Sequence, residues 1–240
     1  MTLQTTFSRI SDTLLDLVFP PHCIGCGLEG ALICNSCQSA LPRLEPPCCS
    51  RCGLPLAEKS LCPKCSHQPP GIDGIRSVFL HEGLAREMVH SLKYGNLKSL
   101  AGPLAGFMRR YLEDNPIPAD IIVAVPLHAS RLRKRGYNQA HLLAKELGKN
   151  AGIAVCDGAL TRARHTPSQV ALKASDRSTN MSGAFVCTGD IFAGKRVLII
   201  DDVCTTGSTM DACAEAIKAS RPLSIWGLTL SRENLKSQEE

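Results

Sequence analysis

Aromatic side chains are scarce in this chain: one tryptophan, three tyrosines and six phenylalanines among 240 residues. Stacking platforms for unpaired bases are therefore thinly supplied. Long apolar runs are missing as well. No stretch reaches bilayer-spanning length, and no basic segment leads into a continuous apolar core, so a cytoplasmic protein is expected. The seven histidines are dispersed, which argues against a histidine-built metal centre, and no nucleophilic residue stands out. The net charge of +5 is modest. It is weak evidence for an anionic partner and does not separate nucleotides from nucleic acid.

Cysteine, by contrast, is plentiful and unevenly placed. Nine of the thirteen fall within residues 23–65. A secreted disulfide framework would come with a signal segment, so the clustering points to metal. Cys23-Ile-Gly-Cys26-Gly-Leu is followed by Cys34-Asn-Ser-Cys37, with seven residues between Cys26 and Cys34. Cys49-Ser-Arg-Cys52-Gly-Leu is followed by Cys62-Pro-Lys-Cys65, with nine residues between Cys52 and Cys62. Each C-x-x-C turn can aim two thiolates at one ion, and four thiolates complete a tetrahedral Zn²⁺ site. Two structural zinc ions are expected. The repeat favours sequential pairing, Cys23, Cys26, Cys34 and Cys37 on one ion and Cys49, Cys52, Cys62 and Cys65 on the other; a cross-braced pairing stays open. Closed sites of this kind leave no position for catalysis, so their role is folding and docking. A redox C-x-x-C would be single and set in a βαβ pattern. Cys48 is left over as a bystander, and Cys156, Cys187, Cys204 and Cys213 read as structural.

The chain is organised around residues 195–209, KRVLIIDDVCTTGST. The apolar run 197–200 is β-branched and too short for a helix, so it predicts a buried strand. Asp201 and Asp202 follow, then Thr205, Thr206, Gly207, Ser208 and Thr209, then a helical pattern from about Met210. Backbone N–H groups and hydroxyls of residues 205–209 can cradle a phosphate, helped by the helix dipole. Gly207 permits close approach or positive φ. The paired carboxylates can accept bonds from vicinal ribose hydroxyls, and would be costly at a buried strand end without a ligand or partner. Just upstream, residues 189–196 nearly spell a nucleotide P-loop, but they precede their strand and end in Arg196, not a hydroxyl.

Elsewhere, residues 5–19 predict an amphipathic helix stopped by Pro20-Pro21. Pro69-Pro70-Gly71 marks a linker. Residues 75–81 predict a strand, and residues 84–112 two helical segments broken near Gly95-Asn96. At the end of the first, Lys93 reads as solvated and Tyr94 as half-buried. Residues 120–125 predict a second buried strand running into Pro126, Leu127 and His128. The basic turn Arg131, Arg133, Lys134, Arg135 follows, where parallel sheets bind ligands, before a helix at 140–148. Residues 161–180 lack a sustained period and read as a long loop over a short helix, a candidate lid. A strand at 225–230 and a charged tail close the chain.

The 195–209 stretch resembles the 5-phosphoribosyl-1-pyrophosphate (PRPP) loop of type I phosphoribosyltransferases. With the zinc repeat, Lys93-Tyr94, Val125-Pro126-Leu127, residues 135–139 (RGYNQ), Arg164-x-Thr166-x-x-Gln169-x-x-Leu172 and Arg177-x-x-Asn180, the whole chain resembles the ComF family. The resemblance implies an α/β protein. Its open, mainly parallel sheet is of type I phosphoribosyltransferase kind, with a small N-terminal double zinc-ribbon module. The expected limits are a helix at 1–20, the ribbons at 21–70 and the phosphoribosyltransferase-like domain at 71–240. PRPP would place its 5-phosphate on residues 205–209 and its ribose hydroxyls on Asp201 and Asp202. Mg²⁺ would accompany the pyrophosphate, and Arg135 with the turn at Pro126, Leu127 and His128 would neutralise it. Arg164 and Gln169 would contribute from the lid. Thr205 stands where enzymes salvaging 6-oxopurines carry a carboxylate, which counts against that acceptor. A role in competence and DNA utilisation is implied. The rival reading is a non-catalytic uptake factor that senses a nucleotide and binds single-stranded DNA or a translocation helicase.

Overall fold

The computed structural model describes residues 20–58, 60–163 and 183–234. The expected N-terminal helix, the lid from residue 164 and the tail from residue 235 lie outside them. The chain forms two compact units, Met1–Leu41 and Pro42–Glu240. In the first, the cysteine turns lead into a short helix, α1 (Asn35–Ser39).

The second unit begins with the other four-cysteine group and helix α2 (Pro63–His67). It continues through β1 (Gly74–Leu80), α3 (Gly83–Tyr94), a short 3₁₀ turn, α4 (Ala101–Asp114), β2 (Ile121–Ala124), α5 (Ala129–Arg135), α6 (Gln139–Ala151) and β3 (Ala154–Cys156). Then follow β4 (Leu160–Arg162), β5 (Phe185–Cys187), β6 (Arg196–Cys204), α7 (Ser208–Lys218) and β7 (Ser224–Arg232). Five strands make one parallel sheet in the order β1-β7-β6-β2-β3, and β4 pairs antiparallel with β5. Strands alternating with helices require crossovers, and crossovers produce the parallel order. The central strand β6 buries Val197, Leu198, Ile199 and Ile200, as a strand covered on both faces must. On α3, Ala85, Met88, Val89 and Leu92 are buried at helical spacing, which seats that helix on the sheet.

Three boundaries differ from expectation. First, β6 runs past Ile200 to Cys204, because β7 keeps pairing beside it: Asp201 faces Thr229, and Cys204 faces Arg232. The two acids therefore lie within the strand, held by its ladder, and not in the loop beyond. Second, the basic stretch is no turn. Residues 129–135 are helical, closed by Gly136 at φ +79°, where glycine is favoured because a Cβ would crowd the left-handed backbone. Third, the segment expected to start as a loop at residue 161 starts within β4.

Candidate functional site

The cysteines behave as the repeat demands. Cys23, Cys26, Cys34 and Cys37 converge in one group, Cys49, Cys52, Cys62 and Cys65 in another, with all ligand atoms of a group within 4.8 Å of one another. The pairing is sequential, which leaves no geometry for cross-bracing. Sulfur–sulfur edges of 3.6 Å (Cys26 to Cys34) and 3.7 Å (Cys52 to Cys62) match the ~3.8 Å edge of a tetrahedron with ~2.3 Å Zn–S bonds. The halves are alike down to single hydrogen bonds. The Gly27 N–H donates to Cys23 O at 2.8 Å, and the Gly53 N–H to Cys49 O at 2.9 Å. The leucine of each C-x-x-C-G-L accepts the first cysteine's N–H: Leu28 from Cys23 at 2.8 Å and Leu54 from Cys49 at 2.7 Å. The third cysteine of each set is the residue immediately before a short helix. The thiolate sets fit structural zinc. Metal analysis of the purified protein is expected to return about two zinc ions per chain; about one would break the double site.

At the carboxyl ends of the strands in the second unit lies a cavity of about 380 Å³, bordered by Asp201, Asp202, Thr205 and Thr209 together with Lys93, Arg86, Arg131, Arg135 and Arg162. Asp202 is buried, and its Oδ1 meets the Lys93 ammonium at 3.1 Å. Asp201 accepts the Asp202 backbone N–H at 2.9 Å and makes no salt bridge among the described residues. Burial, then the adjacent Asp202 carboxylate, pushes Asp201 up to about 8. His81 donates its backbone N–H to Arg232 O at 2.7 Å and shares a 2.8 Å hydrogen bond from Nδ1 to Ser231. Burial and the Lys93 charge hold its ring down at about 4, so it is neutral at physiological pH.

Lys93 and Tyr94 exchange the surroundings expected for them. Lys93 is largely buried against Asp202, whereas Tyr94 is 68% exposed. A carboxylate inside a strand needs a cation within reach, and that need was a signal for Lys93. The other border cations, Arg86 from α3 and Arg162 from β4, come from segments with no phosphate-binding pattern and could be found only in three dimensions.

The phosphate-loop residues divide. Thr205 and Thr209 border the cavity. Thr206 and Ser208 are buried and share a 2.8 Å hydroxyl–hydroxyl bond, which shapes the loop. Gly207, at φ +82°, begins α7. Arg135 borders the cavity, bonded to Gln139 Oε1 with its guanidinium over the Tyr94 ring at 5.2 Å. Leu127 borders it as well. Pro126 and His128 are not among its lining residues; His128 Nδ1 accepts the Ser130 N–H at 3.3 Å, capping α5. Arg164 and Gln169 lie outside the described residues. In the 135–139 motif, Tyr137 donates its hydroxyl to Leu92 O and Asn138 donates to Val125 O at 2.9 Å while capping α6. These bonds fasten the corner that carries Arg135 to both β2 and α3.

Comparison with known families gives these features a class. Residues 105–236 match the phosphoribosyl transferase domain, and residues 14–66 the double zinc ribbon domain. The protein is a phosphoribosyltransferase-type domain joined to a double zinc ribbon. It is similar to the DNA utilization protein YhgH of Salmonella typhi, with 33% identity over 225 residues, 88% of this chain and 98% of that protein. Competence protein F of Haemophilus influenzae is 28% identical over 207 residues, 82% of this chain and 89% of that one. Competence protein ComFC of Bacillus subtilis is 26% identical over 215 residues, 83% and 84% of the two chains. The chain belongs to the ComF family.

Proposed function

We propose that the cavity binds PRPP and that the protein acts in the cytoplasm, serving competence and DNA utilisation, the two terms carried in the names of its relatives. One observation supports the binding reading above the rest: two carboxylates and two threonines border the same cavity as four arginines and a lysine. A phosphorylated pentose with a pyrophosphate offers both matching surfaces. The carboxylates accept ribose hydroxyls, Thr205 and Thr209 donate to the 5-phosphate beside the N-terminus of α7, and the guanidinium groups face the pyrophosphate. Mg²⁺ would supply counter-charge to the pyrophosphate, and Asp201 and Asp202 would be the hard-oxygen donors this chain could offer it. The ion pair with Lys93 holds Asp202 in place, so that acid need not reorganise when the sugar arrives. Arg135, braced by Gln139 and Tyr94, holds its charge where a leaving pyrophosphate would develop. No helix among the described residues is long and apolar enough to cross a membrane, in keeping with this setting.

The test is a calorimetric titration of PRPP with Mg²⁺, followed by assay of pyrophosphate release against a panel of bases and amines. Binding is expected for the unaltered protein, and loss of binding for the Asp201→Asn/Asp202→Asn double variant. If the two proteins behave alike, the cavity is not a PRPP site. Arg135→Ala is expected to weaken PRPP by about 1.5–3 kcal/mol, the worth of a charge-assisted bond.

A further inference from the structure

The cysteine cluster of residues 49–65 lies behind the phosphate loop and is tied to it along two routes. Arg232, 1% exposed, donates from one guanidinium nitrogen to Cys52 O at 2.6 Å and to Cys204 Sγ at 2.9 Å. Cys204 is the last residue of β6, directly before Thr205, and its carbonyl takes the Glu233 N–H at 3.0 Å. The second route starts at Arg51, inside the same C-x-x-C turn. Its carbonyl accepts the Ile75 N–H at 2.7 Å. The Ile75 side chain in turn packs on Gly207, with Cδ1 only 2.9 Å from the position a Gly207 Cβ would take. A longer link joins Lys64 Nζ to Thr206 O at 3.4 Å.

Both main routes begin at the Cys49–Cys52 turn, whose shape is set by two thiolates aimed at one ion. Without a cation, crowded buried thiols have no reason to stay converged. We infer that the second zinc site is the rear support of the phosphate loop, its metal setting the loop's geometry through Arg232 and through the Arg51–Ile75–Gly207 contact. Arg232 is then a positioning residue. The turn of the first zinc site is not built this way: a Cβ on its glycine, Gly27, would meet nothing within 4 Å, where one on Gly53 would lie 2.6 Å from Ile75 O.

Amide hydrogen exchange of residues 204–209 in the full-length protein tests this, with zinc counted in parallel. Arg232→Met is expected to keep both ions yet speed loop exchange about tenfold or more, the mark of a lost local constraint. Cys65→Ser is expected to lose one ion and speed the same amides. Cys37→Ser should lose the other ion and leave them unchanged. Wild-type loop exchange in Arg232→Met, or equal acceleration in Cys37→Ser and Cys65→Ser, overturns the inference. Should Arg232→Met fail to fold, Lys64→Ala with full zinc takes its place, with about threefold faster exchange of the Thr206 and Gly207 amides expected and an unchanged rate counting against it. Affinity for Mg²⁺·PRPP should fall in step with loop protection. That arm rests on the proposed function: failure of the unaltered protein to bind PRPP would end the PRPP reading, while the exchange data would still decide this one.

Discussion

Asp201→Asn should raise the thermal midpoint of the ligand-free protein at pH 8, and Asp202→Asn should lower it, although the substitutions are chemically identical and adjacent. Asp201 stands at about 8 against an ordinary 3.8, so the folded state holds a proton there that the unfolded state releases. Its contribution is therefore fully present below about pH 4 and is lost as the pH rises through 8. The asparagine copies the protonated acid and keeps what the carboxylate loses, a gain of about 1–3 kcal/mol at pH 8 and nothing at pH 4. Asp202 is the opposite case. Its Oδ1 pairs with Lys93 at 3.1 Å, and removing one partner leaves an ammonium in a largely buried place, at a cost of about 2–4 kcal/mol. At ~2–4 °C per kcal/mol for a chain of this size, midpoint shifts of several degrees are expected. Ionisation of Asp201 in place of Asp202 will return part of that loss. Both variants should weaken PRPP, so the Asp201 variant trades function for stability. Melting curves at pH 5 and pH 8 decide the matter: equal destabilisation by both variants at pH 8 would mean that Asp201 is also held as a charged partner.

Gly53→Ala should be far more damaging than Gly27→Ala, although both glycines follow the second cysteine of the same repeated motif. Each has positive φ, +73° at Gly53 and +77° at Gly27, so alanine costs about 1–2 kcal/mol of backbone strain at either. Gly27 has open space around its missing Cβ. At Gly53 the Cβ would lie 2.6 Å from the Ile75 carbonyl oxygen, and that oxygen belongs to β1, which cannot step aside without breaking register with β7. Overpacking of this kind adds about 1–3 kcal/mol. Gly53→Ala is expected to lower the midpoint of the phosphoribosyltransferase unit and to cost that protein its second zinc ion. Gly27→Ala should keep two ions and change the melting of that unit little. Zinc analysis beside calorimetry is the measurement, and equal effects would mean that the two ribbons are held alike.

That asymmetry shows where reading the chain stops. The paired motifs predict two tetrathiolate sites, and both formed, because ligand spacing within a C-x-x-C turn is local geometry. The β-branched run 197–200 predicts the central strand for the same reason: side-chain period and turn chemistry act over a few residues. The acids' place within β6 was not legible, since it depends on how far β7, more than twenty residues away in sequence, continues to pair. Nor was the exchange of roles between Lys93 and Tyr94. Helical spacing put both near the end of α3 but could not say which would face a carboxylate on another element. In the 135–139 motif the sequence marks only Arg135 as a ligand group. In the fold, Gly136, Tyr137 and Asn138 act mainly as the corner that aims Arg135.

By itself the sequence determined the metal chemistry, the strand–loop–helix that can hold a phosphate, and the parallel α/β class, all carried by contacts between near neighbours along the chain. The tertiary structure alone decided that Lys93 pairs with Asp202, and that burial beside the Asp202 carboxylate pushes Asp201 up to about 8. It alone brought arginines from α3, α5 and β4 to the border of one cavity, and it alone tied the Cys49–Cys52 turn to the back of the phosphate loop. The reason is physical: charge pairing and close packing depend on distance in space, and a one-dimensional pattern carries that distance only where the chain has not yet turned away.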